Sequence, residues 1–312
     1  MIGKQYLLVL ALLLFIDNTA HCCINEYRTT LSGKVYYTDG GNVAPTAHYT
    51  IADTAHLRED LQEADSIYRT TGKLSDYSDY GAMLIYNGRY AEAKRIFQQI
   101  EMKHPGLYAT AANLGTTYEL LGNNDSAYYW IAKAIRINPS SHEGSEWIHL
   151  KILQAKIKAR GNNAFYTSYN ILSLNFGDKK KPENINKLDL IALRNQLYYQ
   201  LSERMSFVRP PDPIVAQLLF DLGNINAMTA NVESGFQVFE LAKRYGCQTP
   251  LFNKRYGYFK RLQLSAVFRN NVEGWSKEHI DATLAILFAA FVATIAVIAY
   301  IVKRLKRMNN NK

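Results

Sequence analysis

Cysteine is nearly absent from this chain of 312 residues: three occur, and Cys22 and Cys23 stand side by side near its start. That excludes a disulfide-stapled scaffold, which needs paired cysteines spread through a small core. Eight prolines are too few for a proline-rich linker protein. Charged residues make up 20% and the apolar set 48%, so neither disorder nor a fibrous repeat fits, and the length allows a sizeable core. A phosphate-binding stripe is missing as well. The net charge is +9, but Lys303, Arg304, Lys306, Arg307 and Lys312 supply five of those charges with no acid among them. Lys4 and Asp17 cancel, leaving +4 on the body from His21 to Asp281, an ordinary surface. No nucleic-acid partner is expected.

The familiar catalytic and metal signatures are missing too. The histidines are His21, His48, His56, His104, His142, His149 and His279; none belongs to HExxH and none pairs at i, i+4 on a helix. His142 and His149 can share a helix face, but a zinc site takes three or four ligands and no third is near. They read as surface residues in loops and on helix faces. Cys247 reads as a buried structural thiol. GxSxG, SxxK and GxxxxGK[ST] do not occur. Asp76, Asp79 and Glu92 form no acid pair of defined spacing. Lys179-Lys180-Lys181 reads as a solvated loop. The expectation is a protein that is not an enzyme, with no cofactor and no metal.

Two apolar segments set the compartment. Residues 6–16 form an eleven-residue run behind Lys4, followed by Asp17, Asn18, Thr19 and Ala20. In a helix this covers about 17 Å, too short for a bilayer core of roughly 30 Å, and it reads as a secretory signal over residues 1–20 cleaved after Ala20. Lipid attachment at Cys22 is the competing reading, although Thr19-Ala20-His21 departs from the usual small-residue box. Residues 282–302 (ATLAILFAAFVATIAVIAYIV) hold no charge and span about 31 Å as a helix, matching a bilayer. The basic cluster that follows belongs on the cytoplasmic side. Trp275 and Tyr300 flank the segment, as amphipathic rings do at membrane interfaces. The expected topology is single-pass, in a bacterial inner membrane, with the body periplasmic or otherwise extracytoplasmic and residues 303–312 as a cytoplasmic tail.

The body repeats itself at a period of 34. Gly81 matches Gly115, Gly88 matches Gly122, Ala93 matches Ala127, and Pro105 matches Pro139, with Phe97 opposite Ile131. Gly115 and Ala127 are small where two antiparallel helices would cross. Tyr118 and Ile131 fill the space between them. Asn123 and Asp125 suit a helix start, and Pro139 ends the unit. This pattern resembles the tetratricopeptide repeat family: Leu114, Gly115, Tyr118, Gly122, Ala127, Ala134 and Pro139 stand at its signature positions. In the first unit Tyr80 and Leu84 depart from it. The resemblance implies an all-α fold, a helix–turn–helix repeat array (α-solenoid), here with one transmembrane helix.

Neighbouring segments extend the array, because one helix pair cannot bury its apolar face alone. Leu57, Leu61, Ala64 and Tyr68 predict a helix before Thr71-Gly72. Residues 146–159 predict another, and residues 188–205 a further one. Residues 214–247 look like a degenerate third unit, with Leu222, Gly223, Gly235, Phe239 and Ala242 in register but Asn226 and Ala230 departing. Residues 163–177 are aromatic-rich and fit neither period. The reading by segment is a signal at 1–20, an irregular leader at 21–54, clear repeats at 55–160, degenerate repeats at 161–260, a juxtamembrane connector at 261–281, the membrane helix at 282–302 and the tail.

Family groove positions fall on Ser78, Asp79, Ala82, Ile85 and Tyr86 in the first unit, and on Asn113, Thr116, Glu119 and Leu120 in the second. Asn113 stands where many members hold a peptide main chain. Ser78 and Ala82 depart from the carboxylate-clamp pattern. What the resemblance implies is a membrane-tethered interaction adaptor that takes a protein or peptide partner in this concave groove. The alternative is a structural or receptor-like subunit assembled partly through its membrane helix. The small residues Ala289, Ala290, Ala293 and Ala296 would then pack closely.

Overall fold

The computed structural model describes residues 26–38, 44–47 and 54–309. The signal segment, its cleavage point and Cys22 lie outside the described residues, as do the last three residues of the tail. Five helices make the first part of the array: α1 (Thr54–Thr71), α2 (Leu74–Tyr86), α3 (Tyr90–Lys103), α4 (Tyr108–Leu120) and α5 (Asn124–Ile137). Then come α6 (Glu146–Ala159), α7 (Leu190–Met205), α8 (Pro213–Thr229), α9 (Val232–Arg244) and α10 (Pro250–Asn309).

Consecutive helices pair because small residues let them. A Cβ added at Gly81 would stand 2.8 Å from the Phe97 ring, at Gly115 2.4 Å from Ile131, and at Gly223 2.5 Å from the Phe239 ring. The same glycine–large residue crossing thus closes α2 on α3, α4 on α5 and α8 on α9, so the degenerate third unit keeps the geometry of the two clear ones. The turns of the clear units need left-handed backbone, and Gly88 (φ +73°) and Gly122 (φ +79°) supply it. Ala230, at the matching place in the third unit, has φ −120° and ends a longer helix. Short polar side chains start several helices: Asn123, Asp189, Asp212 and Asn231 each accept a backbone N–H of the following turn. The array is all-α apart from one hairpin, as the resemblance implies.

The core falls into four clusters, of which two hold most of it. Leu84, Phe97, Ile100 and Leu114 close the first units, and Leu197, Leu222, Phe239, Phe252 and Phe259 join α7 to α10. One segment differs from the sequence reading and two gain detail. The leader contains an antiparallel hairpin, β1 (Glu26–Thr29) with β2 (Val35–Thr38), rather than irregular chain throughout. It is anchored at long range: the Thr29 N–H donates to both carboxylate oxygens of buried Glu233, at 3.1 and 3.0 Å. Residues 163–177 fold as a 3₁₀ turn (Asn163–Thr167) and a loop over α8. Residues 261–281 are helical, since α10 runs unbroken for 60 residues. That helix contains the 18-residue stretch Ile286–Lys303, apolar and long enough to cross a membrane, with none of it buried.

Candidate functional site

A cleft of about 220 Å³ opens where the first helices of the two clear units face α7. Ala82, Tyr86, Asn113, Thr116, Glu119 and Leu120 all line it, with Ile85. Ser78 and Asp79 are not among its walls, and Asp79 is exposed. The opposite wall comes from the chain itself: Tyr199, Gln200, Glu203 and Arg204 of α7, then Phe207 and Val208. The Tyr86 and Phe207 rings stack with centroids 5.1 Å apart. So α7 already covers part of the groove that a ligand helix, about 10 Å across, would need. The remaining space falls below the roughly 300–1,000 Å³ of an ordinary ligand pocket and suits a side chain or a chain end.

Glu119 is the electrostatic centre of this cleft, with its side chain 6% exposed. The Arg204 guanidinium grips it bidentately, Nη1 to Oε1 at 2.7 Å and Nη2 to Oε2 at 3.2 Å. Lys156 Nζ donates to Oε1 at 2.6 Å, and His149 Nε2 lies 2.6 Å from Oε2. Burial pushes the Glu119 carboxyl up, but the charges of Arg204, Lys156 and His149 reverse this and hold it well below the usual range. Glu146 behaves alike. Burial opposes its charge, yet His142 and His149 outweigh that, and the Tyr108 hydroxyl donates to Oε1 at 2.9 Å. His142 Nδ1 lies 2.8 Å from Oε1 of Glu146, and its ring stacks on Tyr199. Burial would lower the His149 pKa, but the two carboxylates raise it overall, which favours the imidazolium.

This corrects the reading of the histidines as surface residues: His149 is buried between two carboxylates. It also changes the standing of Glu119, whose oxygens are taken up by the chain's own cations. Asn113 and Thr116 differ from it. Both are half-buried on the cleft wall, and neither side chain bonds to a described residue. Sequence reasoning reached α2 and α4 but missed Lys156, His149 and Arg204. The Glu146/His149 spacing of three on one helix was the only local signal; Arg204 comes from 85 residues beyond Glu119. Among the described residues, no group of three His, Cys, Asp or Glu side chains could hold a metal ion.

No family model matches the chain, and no curated protein matches it. Among solved structures, a tetratricopeptide repeat protein from Parabacteroides merdae aligns with 67% of this chain and 94% of its own length, at 14% identity and a TM-score of 0.28. The Naa15/Naa10 complex bound to HypK aligns with 68% of this chain and 34% of its own, at 16% identity and a TM-score of 0.26. The helix-pair fold therefore rests on the repeated crossings within this chain.

Proposed function

We propose that the chain is a membrane-tethered, non-catalytic interaction adaptor. The array stands outside the cytoplasm, the α10 segment crosses the bilayer once, and the basic tail lies inside. The partner is a protein or peptide that inserts a side chain or chain end between α2, α4 and α7. There it meets the Asn113 amide and the Thr116 hydroxyl, between Tyr86 and Leu120. The observation that carries this reading is the pair of half-buried polar side chains without partners on the inner face of the repeats, beside a terminal helix whose apolar span is unburied.

The test uses full-length protein in native membranes, crosslinked mildly and recovered beside the variant Asn113→Arg, which fills the cleft without touching the core. The expected result is a protein enriched with the wild type and lost with the variant. Identical recoveries from both, or none from either, refute binding at this cleft. Modification of an introduced tail cysteine from the cytoplasmic side alone supports the topology, and modification from outside overturns it.

One observation favours the second reading, a structural or receptor-like subunit. Helix α10 carries Phe252 and Phe259 in the array core and continues without a break into the span, so a displacement at one end is felt at the other. Replacing Ile286–Lys303 by an unrelated span separates the two. An adaptor keeps its partner, and a subunit assembled through this helix loses it.

A further inference from the structure

A second cavity, of about 800 Å³, lies at the other end of the array. One face of α8 forms its floor: Pro213, Ala216, Gln217, Phe220, Asp221 and Asn224, spaced by three and four as one stripe of a helix is. The opposite stripe, Leu218, Leu222 and Ile225, is fully buried in the core. The floor is in register with the repeats. Counting from the crossing glycines, Asp221 stands at the position of Asn113 and Asp79, and Asn224 at that of Thr116 and Ala82.

Helix α10 covers only one side of this stripe, with Phe252 against the Phe220 ring at 5.5 Å and Arg255 on Asn224. The rest is roofed by the 3₁₀ turn and loop at 163–177, and its end wall is the turn at 246–249 with the first residues of α10. The roof is fastened from both sides. Gln217 Oε1 accepts from the Ile171 N–H at 2.6 Å, and Nε2 donates to the Tyr169 carbonyl at 2.8 Å. Arg255, 1% exposed, donates to the carbonyls of Phe176, Gly177 and Lys179 and to Oδ1 of Asn224. The cavity is therefore built, and its guanidinium is committed to three main-chain oxygens and the Asn224 amide oxygen.

Asp221 is left over. It is 6% exposed, it forms no ion pair among the described residues, and its buried Oδ2 has no hydrogen-bond partner. Oδ2 is sealed from the cavity, so Oδ1, which has no hydrogen-bond partner either, is the oxygen through which Asp221 lines it. Buried polar groups in native proteins are nearly always paired, so an unpartnered carboxyl on a cavity wall marks the place of a missing group. We propose that this cavity is a second binding site of the array, which takes an uncharged peptide stretch and pairs one of its amide groups with Asp221.

The chemistry of the walls selects that class. Burial pushes the Asp221 carboxyl up to about 8 against the pull of Arg255, so at neutral pH it is a neutral acid with one O–H donor and one carbonyl acceptor. Through Oδ1 it can donate as the O–H or accept as the carbonyl, which suits either half of a peptide amide. A cationic ligand would be repelled by Arg255. An anionic one would be desolvated beside a guanidinium already bonded to four oxygens. Tyr166, Phe220 and Leu251 offer apolar faces for neighbouring side chains. The other ionisable groups on the walls are Arg255, Cys247, Tyr166 and Tyr169, and burial pushes the Cys247 thiol up to about 12.

The probe is a pool of N-acetylated, C-amidated hexapeptides randomised over Ala, Leu, Phe, Asn, Ser, Lys and Glu, captured on full-length protein in lipid nanodiscs and read by mass spectrometry. Members lacking Lys and Glu should be enriched about tenfold by the wild type and by Asp221→Asn, which keeps a donor and an acceptor, but not by Asp221→Leu. Raising the pH from about 6 to about 9 should release them from the wild type, as the carboxyl loses its proton, and not from Asp221→Asn. This arm compares two proteins whose buried side chains differ by one isosteric group, so folding is not at risk. Asn113→Arg should leave capture intact, which separates this site from the α2–α4 cleft. Enrichment of Lys- or Glu-bearing members, equal capture by Asp221→Leu, capture unaffected by pH, or no enrichment overturns the proposal.

Discussion

Replacing Glu119 by Gln should be among the most destabilising single changes on the inner face of the array. The substitution keeps volume and removes one negative charge that three cations share. The three do not suffer equally. Lys156 has a side chain 25% exposed and can swing into water. His149 can give up its proton and keep Glu146 as a partner. Arg204 can do neither: its side chain is 9% exposed, and its Nε already lacks a hydrogen-bond partner. An ion pair broken from one side inside a protein costs about 3–5 kcal/mol, because the surviving charge stays buried. For a domain of this size about 2–4 °C of Tm is lost per kcal/mol, so a fall of about 6–20 °C is expected. Thermal unfolding of the full-length protein, followed by near-ultraviolet circular dichroism, measures it. Glu119→Leu combined with Arg204→Met removes both charges and should lie well above the sum of the two single losses. A loss below about 1 kcal/mol for Glu119→Gln, or a double variant as unstable as the sum, would refute the assignment of the cost to Arg204.

The same cluster sets a pH dependence. The His149 pKa is raised in the fold from its ordinary 6.5, so its contribution is complete below 6.5 and is lost as pH rises through the higher folded value. Glu119 and Glu146 are held down from 4.5, so theirs is complete above 4.5 and is lost as pH falls. For this cluster alone Tm should be highest between about 4.5 and 6.5; Asp221, raised from 3.8 to about 8, adds a loss that begins above 3.8, so His149→Gln should shrink the alkaline limb without abolishing it. At the helix crossings, Gly115→Ala should cost about 1–3 kcal/mol, since its Cβ would meet Ile131 at 2.4 Å. Gly257→Ala, with nothing within 4 Å, should instead stabilise α10 by about 0.5–1 kcal/mol. Denaturant midpoints of the two variants should move in opposite directions.

The parts of this protein legible in its sequence are those decided within one repeat. Gly81 with Phe97 and Gly115 with Ile131 lie 16 residues apart, so their spacing shows where two helices must cross. The helix start at Asn123 was readable for the same reason: a side chain answers an N–H three residues on. The unbroken apolar stretch needed only its own length and lack of charge. The candidate sites were half legible. Counting from the glycines brings Asn113, Thr116 and Asp221 to the inner face, but nothing local says what lies opposite. Phe207 on Tyr86, Arg204 on Glu119, Glu233 on Thr29 and Arg255 on the loop after Phe176 join segments 76 to 204 residues apart. Which of these meet depends on how each helix pair is rotated against the next, an angle summed over many side-chain contacts along the array. Local periodicity therefore determined the repeats, their caps and the apolar span. Only the tertiary structure decided that α7 covers part of the first groove, that His149 is buried between two carboxylates, and that Asp221 lines a second cavity.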